Sequence, residues 1–306
     1  MNCNHYLHCL ASVVFGLISA ITWPFYCFVL IVLTRKKDKF NSSFYKLFVA
    51  AGISDLVWLL LLWVFRPFHR LFLIAGFKPQ LIAQVSVVAG WHFYFAQVLG
   101  VLVISINRFS GTVFAQSYKQ FWTNKKVAVL VVLQWTLPLT LSVPFLTPCC
   151  RVNYVNSTSA LYDYVNPELN LVFVRITVLL ETCMLAPIFT TIYAVIVYKV
   201  WRHKSQMKGI AFSQSRVELQ FTCVGLVLCL VYVTMSVVFV FWLIFPEMED
   251  LWFLAYESLS TLFTVSNPYL LFYFSNTFRK AFMRTFVCCC QYNQVGPLSL
   301  RSKMQV

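Results

Sequence analysis

Seven apolar stretches, each about long enough to cross a bilayer, run through this chain at 10–33, 44–65, 81–106, 127–147, 171–198, 219–245 and 251–274. A hydrocarbon core about 30 Å thick takes roughly 20 residues of helix at about 1.5 Å rise per residue. Within lipid every backbone N–H and C=O must find its partner inside the protein, which favours helices for segments of this length. The pattern predicts an all-α membrane protein, a bundle of seven transmembrane helices. Composition agrees: 60% of the residues are hydrophobic and only 11% charged, against about a quarter charged in soluble domains. The connections between spans are short, so no separate soluble module is expected.

A net charge of +14 raises the question of nucleic acid, but its distribution points to lipid. Nineteen of the 24 Lys and Arg residues fall in 35–46, 107–126, 199–216 and 279–303; the others are Arg66, Arg70, Lys78, Arg151 and Arg175. Basic residues flanking membrane spans stay cytoplasmic. The amino terminus is therefore expected outside and the carboxyl terminus inside, with the basic segments facing anionic lipid and cytosolic partners. No nucleic-acid partner is expected. Met1 to Cys9 lacks the basic start of a cleaved signal, so the first span is expected to act as its own insertion signal.

That orientation sorts the modification candidates. Of eleven cysteines, Cys27, Cys183, Cys223 and Cys229 fall in spans, while Cys3, Cys9, Cys149 and Cys150 face the oxidising side. These four are the disulfide candidates, with their pairing open. The outer segment 148–170 carries Asn156-Ser157-Thr158, making Asn156 the expected glycosylation acceptor. After the seventh span, Phe278, Phe282 and Phe286 recur at a spacing of four beside Arg279, Lys280 and Arg284. This predicts a short amphipathic helix in the inner interface, although simple continuation of the seventh span would also satisfy the pattern. Cys288, Cys289 and Cys290 follow at membrane level as candidates for palmitoylation.

Ionisable groups at membrane depth are costly and usually face the bundle interior. Asp55 sits mid-span behind Ala50, Ala51, Gly52 and Ser54, small residues that let neighbouring backbones approach. It reads as a switch node or as a structural hydrogen-bond hub. Arg108 closes the third span in Asn107-Arg108-Phe109; by position alone it is a snorkelling anchor. In the outer half, His92, Tyr94, Gln97, Arg175, Glu181, Tyr256 and Glu257 stand among many aromatics. A mostly apolar lining with a few placed polar groups suits a small organic ligand, although packing between helices would also account for each residue. Glu181 and Glu257 are the strongest of these, because a buried carboxylate needs a partner. No span carries His-x-x-x-His or paired acids, and no nucleophile–base pair stands out. Neither a metal site nor an enzyme is expected. The absence of matching Gly/Pro-broken spans in two halves weakens a transporter reading.

Taken together, Asp55, Arg108, Trp135, Pro187 and Asn267-Pro268-Tyr269 stand in the order and depth of the switch elements of rhodopsin-like G-protein-coupled receptors, which this chain resembles from its first span to the amphipathic stretch. Ser105-Ile106-Asn107-Arg108-Phe109, then Tyr118 and Phe121-Trp122, and later Ser266-Asn267-Pro268-Tyr269-Leu270-Leu271 are similar to the nematode serpentine chemoreceptors of the class gamma superfamily, with class gamma and class V both open. The resemblance implies a receptor domain over 1–274, an amphipathic helix and cysteine cluster over 275–290, and a short, disordered cytoplasmic tail over 291–306. It further implies a chemosensory receptor in the plasma or ciliary membrane of a sensory cell. A small molecule would bind in the outer bundle and a heterotrimeric G protein in an inner cleft lined by Arg108, Asn267 and Pro268, with Asp55 coupling the two.

The departures matter too. Asn107 replaces the acid before the arginine, Leu271 the last tyrosine of the span-seven motif, and the sixth span has no internal proline. The first span has no asparagine, and the outer end of the third has no cysteine. No lysine occurs in 251–274, so the Schiff-base residue of an opsin is missing and no cofactor is expected. A seven-span ligand-gated cation channel with its amino terminus inside, or a small-solute transporter, is the alternative; the basic-residue asymmetry opposes the channel orientation.

Overall fold

In the computed structural model, the described residues are 3–36, 38–61, 76, 78–147, 152–154, 162–206 and 212–294. They form a membrane bundle of seven long helices: α1 (Cys3–Arg35), α2 (Ser43–Leu60), α3 (Pro79–Val113), α4 (Asn124–Ser142), α5, α6 (Phe212–Ile244) and α7 (Glu249–Phe274). Helix α5 is built from Pro167–Leu179, a π-helical turn at Leu180–Leu185, and Ala186–Gln206. The described parts of the expected spans fall on these helices, with 62–65 of the second outside the described residues and the end of the fourth tightening into a 3-10 turn at Val143–Leu146; several helices extend beyond the apolar stretch. Helix α3 runs on to Val113 rather than ending near 106, and α5 runs on to Gln206 rather than ending near 198.

Six of the helices are long and apolar enough to cross a membrane by composition alone. Helix α7 differs because its 26 residues include Glu257, Ser258, Ser260, Thr261, Thr264, Ser266 and Asn267. Ser260, Thr261, Thr264 and Asn267 are buried in the bundle, so α7 turns its polar side toward the protein rather than toward lipid. Elsewhere the lipid-facing surface is plain: Leu10, Leu17, Ile21, Val129, Val132, Ile176, Leu179 and Leu230 are all exposed.

Helix α3 is the central post, packing on α2, α4, α5 and α6. Close approach is secured by glycine at two crossings. A Cβ on Gly100 would stand 2.9 Å from Ala51 of α2 and 2.7 Å from the Gln134 amide of α4. A Cβ on Gly52 would stand 2.9 Å from Leu30 and 3.0 Å from the Tyr26 hydroxyl of α1. Small residues at such crossings let helices gain van der Waals contact, which drives association when lipid is as apolar as the side chains.

Two features lie outside the all-helical expectation. A two-stranded antiparallel hairpin, β1 (Val152–Tyr154) with β2 (Tyr162–Tyr164), pairs Val152 with Tyr164 and Tyr154 with Tyr162. It caps the amino-terminal end of α3, where the Gln80 side chain donates to the Val152 carbonyl and accepts from the Tyr154 N–H. A single helical turn, Tyr118–Phe121, lies between α3 and α4. Beyond α7 the chain leaves helical geometry at Ser275 and begins α8 (Asn276–Gln294). This is the expected amphipathic helix and not a continuation of α7. Phe278 and Phe282 are buried, Phe282 edge-on to Phe28 of α1 at 4.8 Å, while Arg279 and Arg284 face outward.

Candidate functional site

The inner polar node begins with Asp55, which is 1% exposed in the middle of the bundle. Its Oδ2 accepts a hydrogen bond from the Asn267 amide of α7 at 2.8 Å and another from the Tyr26 hydroxyl of α1 at 2.6 Å. One carboxylate oxygen thus ties three helices together. Gly52, one turn before Asp55, makes the Tyr26 approach possible. Pro268 follows Asn267 inside α7 and cannot donate to the Thr264 carbonyl. The Thr264 hydroxyl accepts instead from Gln97 of α3 at 3.3 Å. Tyr26 is the residue the sequence reading missed: where the first span lacks asparagine, a phenol supplies the donor from the same helix.

The inner end of α3 has its own arrangement. The Arg108 guanidinium lies over the Phe44 ring of α2, 3.6 Å from its centroid, a cation–π contact. Asn107 turns the other way: its amide faces the Tyr118 hydroxyl, with Nδ2 at 3.0 Å and Oδ1 at 3.2 Å. The Trp122 indole donates to Ser110 at 2.7 Å, so the segment joining α3 to α4 is fastened to α3 at two points. Deeper in, the Ser105 and Tyr193 hydroxyls share a hydrogen bond of 3.0 Å between α3 and α5. Gly225 of α6 lies beneath the Tyr193 ring, where any Cβ would collide with the phenol.

The outer half separates the ligand candidates. Tyr94, Gln97 and Glu181 are buried inside the bundle, and Tyr256 reaches the same region half-buried. Tyr94 packs against Trp58 and Tyr256, each with ring centroids 6.1 Å away, and Tyr256 stands 4.3 Å from Phe239. Trp58 donates to Ser260 at 3.2 Å. Glu181, on the π-helical turn of α5, is wholly buried beside the Tyr94 and Tyr232 phenols; the Tyr94 hydroxyl is turned toward its carboxylate without closing a well-formed hydrogen bond.

His92 does not join this group. It points between α3 and α4 toward Trp135, and lines an outward groove of about 310 Å³ with Leu81, Gln84, Leu139 and Leu146. Arg175 is exposed on the outer part of α5, and Glu257 is half-buried on α7. Trp135 packs on Phe93 and Pro187 is exposed, so neither lines the bundle interior. Cys149, Cys150 and Asn156, together with the side chains of Cys3, Cys9 and Cys288 to Cys290, lie outside the described residues. Among the described residues no group of three or more His, Cys, Asp or Glu side chains is placed to hold a metal.

Seven membrane helices joined by an acid–amide node between α2 and α7, with an arginine at the inner end of α3 and an amphipathic helix after α7, define a serpentine receptor. A family model described as serpentine type 7TM GPCR chemoreceptor Srv matches residues 15–288, and the chain belongs to that family. The choice between class gamma and class V thereby falls to class V. The chain is also similar to Serpentine receptor class V-1 of Caenorhabditis elegans, 26% identical over 121 residues. That match spans 38% of this chain and 38% of the relative's length.

Proposed function

We propose that this chemoreceptor-type protein binds a small organic molecule among Tyr94, Gln97, Glu181 and Tyr256, and activates a heterotrimeric G protein at its cytoplasmic face. The observation that supports the reading is the buried polar node at mid-bundle. Gln97 of α3 donates to Thr264 of α7, and Asn267 of α7 donates to Asp55 of α2, so three helices are linked one turn from Tyr94 on α3. A ligand shifts such a bundle only by binding one arrangement more tightly than the other. The inner cleft would open between α3, α5 and α6, releasing Arg108 from Phe44 to meet the G protein. The residue before Arg108 in sequence is Asn107 and not an acid, and the Phe44 ring supplies part of the restraint on the guanidinium.

In this reading the amino terminus is outside, Asn156 is glycosylated, and Cys288 to Cys290 carry palmitoyl chains that hold α8 at the membrane. The receptor works in the plasma or ciliary membrane of a sensory cell. Replacing Arg108 with Ala tests the coupling. Ligand-stimulated nucleotide exchange on a co-expressed G protein should fall at least tenfold with surface expression retained; undiminished exchange would refute the role.

A further inference from the structure

Glu181 sets an unusual condition on the ligand. It is 0% exposed and faces the Tyr94 phenol, yet neither carboxylate oxygen closes a well-formed hydrogen bond. The Tyr232 hydroxyl beside it is also buried, and no Lys, Arg or His among the described residues pairs with it. An ionised carboxylate in a low-dielectric interior is tolerated only against a positive charge or a full set of donors. A buried carboxylate faced by phenols therefore has no positive complement among the described residues.

The surroundings decide which cation would fit. Tyr94, Tyr232, Tyr256, Phe239 and Phe263 present aromatic rings, with Tyr232 and Phe263 centroids 6.2 Å apart and Tyr256 and Phe239 4.3 Å apart. A hard metal ion wants about six oxygen ligands, more than one carboxylate and a few phenols supply. Aromatic faces instead attract organic ammonium groups, most strongly when these are desolvated. We infer that Glu181, flanked by the Tyr94 and Tyr232 phenols, is the counter-ion for the protonated nitrogen of a small organic amine. This rests on the ligand-binding reading above and names the chemical class of that ligand.

The π-helical turn contributes. A wider turn shifts the register of the following residues relative to a regular helix, and here it places Glu181 inward while Cys183 and Met184 face out. The region is closed around Glu181, so admitting an amine requires α5, α6 and α7 to part. That requirement couples binding to bundle opening, because the ammonium ion is held only in the opened arrangement.

The test uses the full chain in lipid nanodiscs. Unfolding temperature is followed with 2-phenylethylamine, its N,N,N-trimethylated form, the neutral isostere 2-phenylethanol, and sodium chloride against potassium chloride. The amines should stabilise the protein and the alcohol should not. Glu181→Gln should weaken the amine effect about 10- to 100-fold in half-saturating concentration, as expected for loss of a hydrogen bond to a charged group; Tyr94→Phe should weaken it less. Equal stabilisation by the alcohol, an unchanged response in both variants, an effect of sodium alone, or no stabilisation by either amine would each overturn the assignment. Because the readout is binding, it is independent of the receptor reading. Nucleotide exchange driven by non-amines would leave that reading standing while this one falls. Amine binding without any exchange would support the ammonium site and count against the coupling.

Discussion

Replacing Tyr26 with Phe removes one hydroxyl and keeps the ring that packs on Phe48, with centroids 6.4 Å apart. What is lost is the 2.6 Å donor to Asp55, leaving the Asn267 amide as the remaining close donor with the Gln97 amide nearby. In water-soluble proteins a hydrogen bond to a charged group is worth about 1.5–3 kcal/mol. Inside membrane bundles measured couplings average about 0.6 kcal/mol and reach about 1.7 kcal/mol, since the unfolded state also finds partners. Asp55 is almost fully buried and its second oxygen already lacks a hydrogen-bond partner, which places Tyr26 near the upper end of that range. The expected cost is about 1.5 kcal/mol, roughly tenfold in the folding equilibrium. The assay is a double-mutant cycle by thermal unfolding in nanodiscs, using Tyr26→Phe, Asp55→Asn and both together. If the phenol acts through Asp55, the pair will cost clearly less than the sum of the single changes. Strict additivity would refute the argument, since the hydroxyl would then stabilise α1 without reference to the acid.

Two further expectations follow, one from the geometry and one from the sequence. Gly225→Ala should destabilise the bundle by about 2 kcal/mol through overpacking against Tyr193, and Tyr193→Phe, which removes the colliding oxygen, should restore part of the loss. An Ala variant with unchanged unfolding temperature would show that α6 yields freely there. Asn156→Gln should abolish the glycosidase-sensitive shift in gel mobility of the expressed protein; an unchanged shift would remove the chemical support for placing that segment outside.

The helices were legible because bilayer thickness imposes one length on every span, and the chain has little else in it. The polar residues at membrane depth were legible for the same reason: Asp55 and Asn267 stand out against lipid-like neighbours, and the bundle brings them within 2.8 Å. Tyr26 was not legible, because a tyrosine in a span is most simply an interfacial or packing residue and nothing marks its hydroxyl as a donor. The available signal was indirect: a buried acid on the second span and no asparagine on the first. His92 misled in the opposite way. It sits two residues before Tyr94 on α3, and a helix turns about 100° per residue, so the two side chains leave the helix on nearly opposite sides. The Tyr118 and Trp122 fastenings depend on how the chain turns back between α3 and α4, which periodicity within a span does not encode. The π-helical turn was equally silent, since its residues read as an ordinary apolar helix.

The polar face of α7 has a consequence for how the protein is made. A segment carrying Glu257, Ser260, Thr261, Thr264 and Asn267 gains little by entering lipid alone, whereas against α1, α2 and α6 those groups meet partners or leave the hydrocarbon. Its stable residence in the bilayer is therefore a property of the assembled bundle. Substitutions on distant helices, Asp55 or Tyr26 among them, should then lower the fraction of chains whose final span integrates during biogenesis, a loss that precedes any question of signalling.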